Sequence, residues 1–165
     1  MTHRIVIMGV SGCGKSSFGA ALSAALAIPY VDGDDLHSPQ AVEKMRAGIA
    51  LTDADRWPWL DRVGAVLADQ APVIVVCSAL KRMYRDRIRA AAGGAVRFVH
   101  LAGEKSVIAA RMGARQGHYM PTSLLDSQFA ALEVPGEEEA ITVAIDQPLD
   151  RMIAQALPLL KGQSA

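Results

Sequence analysis

The run Gly9-Val10-Ser11-Gly12-Cys13-Gly14-Lys15-Ser16 fits G-x-x-x-x-G-K-[ST], a phosphate-binding loop. Glycines let a backbone wrap an anion so that successive N–H groups point inward. Lys15 has the reach for the β- and γ-phosphates of a nucleotide, and the Ser16 hydroxyl suits Mg²⁺. The nucleotide-binding candidates are therefore Gly9, Val10, Ser11, Gly12, Cys13, Gly14, Lys15, Ser16 and the adjoining Ser17, with Ser16 as metal ligand. Cys13 stands beside a helix N-terminus, where a thiolate is favoured; a reactive thiol and a mere spacer are both open readings. A second group of chemical interest is Asp32-Gly33-Asp34-Asp35-Leu36-His37. A carboxylate at Asp34 would take the proton of an attacking hydroxyl or hold Mg²⁺. The competing reading is plain Asp-Gly turn chemistry. His37 fits either a substrate contact or local capping.

Two further sets of cations complete the candidates. Lys81, Arg85 and Arg89 fall four apart after Cys77-Ser78-Ala79-Leu80. Lys81 and Arg85 are read as holding an anionic substrate, against an exposed helix in which Arg82 pairs with Asp86. No acidic residue closes the run before them, so an ordinary Walker-B carboxylate is missing and Ser78 is the group left to meet a metal's water shell. Arg111 and Arg115 are also four apart, interrupted by Gly113 and Gly117. Glycine weakens a helix, so this arm suits a lid that closes over a nucleotide and stabilises a transferring phosphoryl group. A surface helix with snorkelling arginines is the alternative. Arg56, beside Trp57 and Trp59, is placed to hold a carboxylate, while the tryptophans are read as packing groups. Glu137-Glu138-Glu139 is read as a solvated turn.

Such residues need elements to position them. Strands are expected at Arg4–Met8, Pro29–Asp32, Val73–Cys77, Val96–Leu101 and Ala140–Ile145, with helical patterns between them. This alternation predicts a parallel sheet covered by helices on both faces. Lys15 to Ala27 reads as the helix behind the loop, with Phe18, Leu22, Ala25 and Leu26 on one face. Arg56 to about Asp69 reads as another, with Pro58 in its first turn. A last helix from about Pro148 to Leu160 puts Leu149, Met152, Ile153, Ala156, Leu157 and Leu160 on one stripe. At 165 residues one domain with a full core is expected. Lys and Arg number 17, as do Asp and Glu, which argues against a nucleic-acid stripe or a polybasic membrane anchor. The apolar run from Ile5 to Val10 is too short for a signal-peptide core, and no segment reaches the ~20 apolar residues of a membrane span. Cys13 and Cys77 lack metal-ligand spacing. The reading is a cytoplasmic protein with no nucleic-acid or membrane partner.

Beyond the loop, several blocks occur in order: Gly33 to His37, Glu43-Lys44-Met45 with Gly48, Asp53-Ala54-Asp55-Arg56 with Pro58-Trp59-Leu60, Cys77 to Lys81 with Tyr84-Arg85-Asp86, Gly117 to Pro121, Leu124-Leu125 with Ser127-Gln128, Leu132-Glu133 with Pro135-Gly136, and Asp146-Gln147-Pro148. On these the chain resembles the gluconate kinases, relatives of shikimate and adenylate kinases, over nearly its whole length. The resemblance implies an α/β, three-layer P-loop kinase fold: a five-stranded parallel sheet, helices on both faces and a small helical lid at about 111–121. It implies ATP and Mg²⁺, transfer of phosphate to the 6-hydroxyl of D-gluconate, and often a homodimer. It makes Asp34 the base, with Lys15, Arg111 and Arg115 as catalytic cations. Arg56, Lys81 and Arg85 would surround gluconate, with His37, His118 and Gln128 as further contacts, and Gln147 and Pro148 would lie near the adenine. Ala41 stands where the family usually has Asn, Ala50 where Pro is usual and Tyr119 where Phe is usual. A kinase for another small anionic acceptor, such as shikimate, is the rival within enzymes. A regulatory GTPase would need an Asn-Lys-x-Asp motif, and this chain has no asparagine.

Overall fold

The computed structural model describes residues 3–113 and 122–162. Its centre is β1 (Arg4–Met8), a strand buried on both faces, which runs straight into the phosphate-loop motif. The chain continues as α1 (Lys15–Leu26), β2 (Tyr30–Asp32), a single 3₁₀ turn at Gly33–Leu36, α2 (Pro39–Arg46) and α3 (Asp53–Asp69). There follow β3 (Val73–Val76), α4 (Arg82–Ala92), β4 (Arg97–Ala102), α5 (Lys105–Gly113), α6 (Thr122–Ala131), β5 (Ala140–Ala144) and α7 (Leu149–Gly162). All strand pairs are parallel, in the order β2-β3-β1-β4-β5. The expected five strands and their parallel pairing are found, with no end shifted by more than one residue.

Period-two alternation builds two cores from one sheet. Ile5, Ile7, Ile74, Val76, Val99 and Leu101 face the side covered by Phe18 and Leu22 of α1 and by Met152, Ala156 and Leu160 of α7. Val6, Met8, Val73, Val75 and Phe98 face Leu60, Val63 and Leu67 of α3 and Ile88 of α4. The register agrees, since Val6 lies opposite Val75 and Ile5 opposite Ile74. Burial of one such Leu or Ile contributes about 1.5–3 kcal/mol, so each layer is held mainly by apolar area. Gly64 lets α3 and α4 close up: a Cβ there would lie 2.3 Å from that of Ala91. Two apolar positions expected on buried stripes, Ala25 and Leu149, are exposed.

The start of α3 differs from the expectation. Thr52 and Asp55 form a reciprocal capping box, so the helix opens at Asp53 rather than Arg56, and Pro58 falls in its second turn. Among the described residues no helix is long and apolar enough to cross a membrane.

Candidate active site

The carboxyl ends of a parallel sheet are where its ligands bind, and a cleft of about 920 Å³ opens there. Its floor is the loop after β1. Gly9, Gly12 and Gly14 all have positive φ. At Gly9 space also forbids a side chain, since a Cβ would meet Cys13 Sγ at 2.8 Å and the Leu101 carbonyl at 3.0 Å. Gly14 precedes α1 and provides no side-chain cap, and no acidic residue stands in that helix's first turn. The positive end of the helix dipole therefore meets the cleft without a neutralising group of its own, as an anion site requires. Ser11, Gly12, Gly14, Lys15, Ser16 and Ser17 line the cleft. Lys15 Nζ rests on the carbonyls of Gly9 and Val10, at 2.9 and 3.0 Å.

Val10 and Cys13 turn inward instead and are buried. For Cys13 this corrects the reactive-thiol reading. Burial raises its pKa, and the nearby positive charge of Lys15 only partly offsets this. Cys13 packs; it is not poised as a thiolate.

Asp34 enters from the opposite wall. Asp32 caps the 3₁₀ turn by accepting from the Asp34 amide at 3.0 Å, and Gly33 lets this turn press against β3, where a Cβ would lie 2.3 Å from the Val76 carbonyl. The residue is exposed, yet its carboxyl sits close enough to the cleft wall to lose hydration. Burial, then the charge of Asp32, raises its pKa above the usual carboxylate range, with His37 and Lys15 opposing. His37 stacks on Trp59 with ring centroids 4.2 Å apart. Burial lowers its pKa, against the pull of Asp34. Trp59 is buried and donates Nε1–H to the Gly33 carbonyl at 2.7 Å, so it fixes the turn that carries Asp34. That supports the reading of the tryptophans as packing groups.

At the far end of the cleft Arg56, Lys81 and Tyr84 line the wall with Leu51 and Ile49. Arg56 donates to the Leu51 carbonyl at 2.8 Å and to Tyr84 Oη at 3.3 Å. Lys81 reaches Asp53 at 3.4 Å. Tyr84 and Asp53 escaped the sequence reasoning as members of this group, although both sit inside blocks it singled out.

Arg85 does not belong there. Its side chain is 1% exposed and its donors are spent within the protein. It pairs with Glu139 at 2.6 Å and donates to the carbonyls of Ala79, Leu80 and Glu133. The expectation of a shared face fails because Lys81 is the extended N-cap of α4, not a residue of the helix. The i,i+4 rule then does not relate the two side chains. Glu139 is the second correction. It is no solvated turn residue, since its side chain is 4% exposed and it receives Arg85 and Arg89. Burial pushes its carboxyl up, but the hydrogen bonds from Arg85 and Arg89 outweigh this and hold it below the ordinary range. The Arg82–Asp86 pair is present at 3.9 Å, on the surface.

Gln128 on α6 reaches the phosphate loop rather than the acceptor end. Its Oε1 accepts from the Ser11 amide at 2.6 Å and its Nε2 donates to Ser11 Oγ at 2.8 Å. Arg111 donates to the Ile145 carbonyl at the end of β5 and is not among the cleft-lining residues. Gln147 and Pro148 stand at the same edge, where Gln147 bonds Ala144 and Gln155. Arg115, His118 and most of the lid at about 111–121 lie outside the described residues. Ala41 is buried in α2, where its amide is capped by Ser38, and Ala50 lines the cleft.

For Mg²⁺ the donors near the loop are hard oxygens: Ser16, Asp32, Asp34 and Ser78. Among the described residues no three His, Cys, Asp or Glu side chains form a metal cage. The hydroxyl and carboxylate oxygens of Ser16, Asp32, Asp34 and Ser78 suit Mg²⁺, which takes oxygen ligands, keeps waters and shares nucleotide phosphates with one or two protein groups.

Residues 5–135 match the family model described as an AAA domain. The chain is 43% identical to the thermosensitive gluconokinase of Escherichia coli over 86% of its length and 77% of the relative's. It is 39% identical to the thermoresistant gluconokinase of the same organism, over 96% and 94%. Among solved structures, a gluconokinase from Sinorhizobium meliloti superposes with a TM-score of 0.89 at 50% identity, covering 97% of this chain and 92% of that one. A shikimate kinase from Bacteroides thetaiotaomicron shares the fold alone, with a TM-score of 0.68 at 16% identity. A glycine-built phosphate loop, a raised carboxylate facing it and cations at the far wall thus occur in a sheet shared with kinases of small molecules, and at this identity and coverage the chain belongs to the gluconokinase family.

Proposed function

We propose that the protein transfers the γ-phosphate of ATP to the 6-hydroxyl of D-gluconate, giving 6-phospho-D-gluconate and ADP. The observation that carries this reading is one cleft whose floor is a glycine-built loop and a helix N-terminus, with the Asp34 carboxylate on its wall and the cations Arg56 and Lys81 lining it too. Kinship with gluconokinases supplies the acceptor. The loop amides and the α1 dipole receive the phosphates, and Lys15 moves from the Gly9 and Val10 carbonyls to their oxygens. Asp34 accepts the proton of the 6-hydroxyl, a task suited to a carboxylate more basic than usual. Lys81 and Arg56 take the acceptor's carboxylate, and His37 contacts its hydroxyls. Ser16, with Asp32 nearby, would hold Mg²⁺, which when bound neutralises charge on the transferring phosphoryl group. Gln128 steadies the loop through Ser11. Arg111 serves the nucleotide edge with Gln147 and Pro148, and Arg115 and His118 act from the lid.

A coupled ADP-release assay tests this over D-gluconate, shikimate, adenylylsulfate and nucleoside monophosphates. Rapid turnover with gluconate alone is expected. Turnover with another acceptor and none with gluconate would overturn the assignment.

A further inference from the structure

The segment Asp53-Ala54-Asp55-Arg56 contributes only Arg56 to the reaction described above. Asp53 is not among the cleft-lining residues, yet three groups that do line the acceptor end converge on it. Tyr84 donates its hydroxyl hydrogen to Asp53 Oδ1. Lys81 Nζ stands 3.4 Å from the same oxygen and the Arg56 guanidinium 3.9 Å from it. Arg56 also donates to Tyr84 Oη. Two cations less one carboxylate leave one net positive charge. The Tyr84 hydrogen is committed to Asp53, so its hydroxyl meets the cleft only as an acceptor. Such a wall matches a head group with one negative charge beside a hydroxyl that donates. A head group with two charges lacks a second counter-charge, and a neutral polyol leaves the one net positive charge uncompensated.

We infer that Asp53 is a specificity-determining positioning residue: from behind Lys81, Arg56 and Tyr84 it limits the acceptor end to one net positive charge and so selects singly charged hydroxy acids over doubly charged ones. This rests on the acceptor-end assignment under Proposed function. Asp53 acts through the three side chains and does not touch the acceptor.

Calorimetric titration of the full chain reads the charge preference without turnover. The probes are D-sorbitol, with no charge, D-gluconate, with one, and D-arabitol 5-phosphate, whose single head group carries nearly two. Asp53→Asn removes the charge but keeps an oxygen for Tyr84 and Lys81; Asp53→Ser is the second neutral variant should Asn not fold. The wild type is expected to prefer gluconate to the phosphate. The neutral variant should narrow that preference about fivefold, the effect of one charge a few ångströms away in water-like surroundings. Asp53→Glu should restore it, with KM for ATP unchanged in all variants. An unchanged preference in the neutral variant, or equal weakening of all three ligands, would overturn the inference. A wild type that binds gluconate but does not phosphorylate it would sink the proposed activity while the titrations still decide Asp53. A wild type that binds none of the three would sink the acceptor end and the role of Asp53 together.

Discussion

Asp34 draws its chemistry from what surrounds it. Its amide is held by Asp32, its turn by Trp59, and its carboxyl is made more basic by burial and by the Asp32 charge. A base must be ionised to accept a proton, and a raised pKa brings its loss of activity on acidification closer to neutral pH. The acid limb of kcat/KM for gluconate is therefore expected above the usual carboxylate range. Asp34→Asn should lower kcat by about 10²–10⁴ and leave ATP binding intact. Measuring both across pH checks the role: an unchanged kcat, or an acid limb that survives in Asp34→Asn, removes it. The sequence already pointed to Asp34, because a carboxylate just past a strand end has a place fixed by topology. The fate of Cys13 was not legible in the same way. Whether a loop side chain turns toward the anion or toward the core depends on the φ of the glycines around it, and the types alone do not encode that direction.

Helix α4 shows how an element can carry cations to two different ends. Lys81 stays outside the helix and faces the cleft, while Arg85 turns inward and ties the Ala79 and Leu80 carbonyls to Glu133 and Glu139. Ala79 has a positive φ of 47, so the loop that delivers Lys81 adopts a backbone conformation costly for a residue with a side chain. Arg85 holds that loop through its carbonyls. Arg85→Ala leaves Glu139 to Arg89 and strips the donor from the Ala79, Leu80 and Glu133 carbonyls, and losing a hydrogen bond to a charged group costs about 1.5–3 kcal/mol. Urea and thermal denaturation should register that loss, while Lys81→Ala should leave stability near wild type and raise KM for the acid. Equal stability of the two variants would contradict this division. From sequence, Lys81 and Arg85 look alike because spacing is all that is visible. What separates them is a helix boundary and an acidic partner more than fifty residues away. Long-range pairing of that kind leaves no periodic signal. The start of α3 is set by a local signal instead: the Thr52/Asp55 box, three residues apart, outweighs the proline and opens the helix at Asp53.

The sheet as a whole was legible, because strands buried on both faces read as unbroken apolar runs and helices as stripes. One polar residue interrupts this rule. His100, in β4, is buried on the side of α3 and α4, and its Nδ1 has no partner among the described residues. Burial lowers its pKa, and the charge of Arg85 lowers it further. In the unfolded chain a histidine titrates near 6.5. As the pH falls through that value the unfolded chain takes up the proton before the folded one does. The unfolded state then binds more protons, so stability falls as the pH drops and recovers as it rises. His37 is shifted in the same direction and adds a share of its own. Asp34, whose carboxyl is pushed up by burial, contributes with the opposite sign, and it does so equally in the wild type and in His100→Gln. The wild-type Tm should therefore fall between pH 7.5 and 5.5, and His100→Gln, which cannot take up the proton, should fall less while keeping the contribution of His37. Parallel Tm profiles for the two proteins would show that the fold accommodates a charged His100 beside Arg85, and would place the acid sensitivity elsewhere.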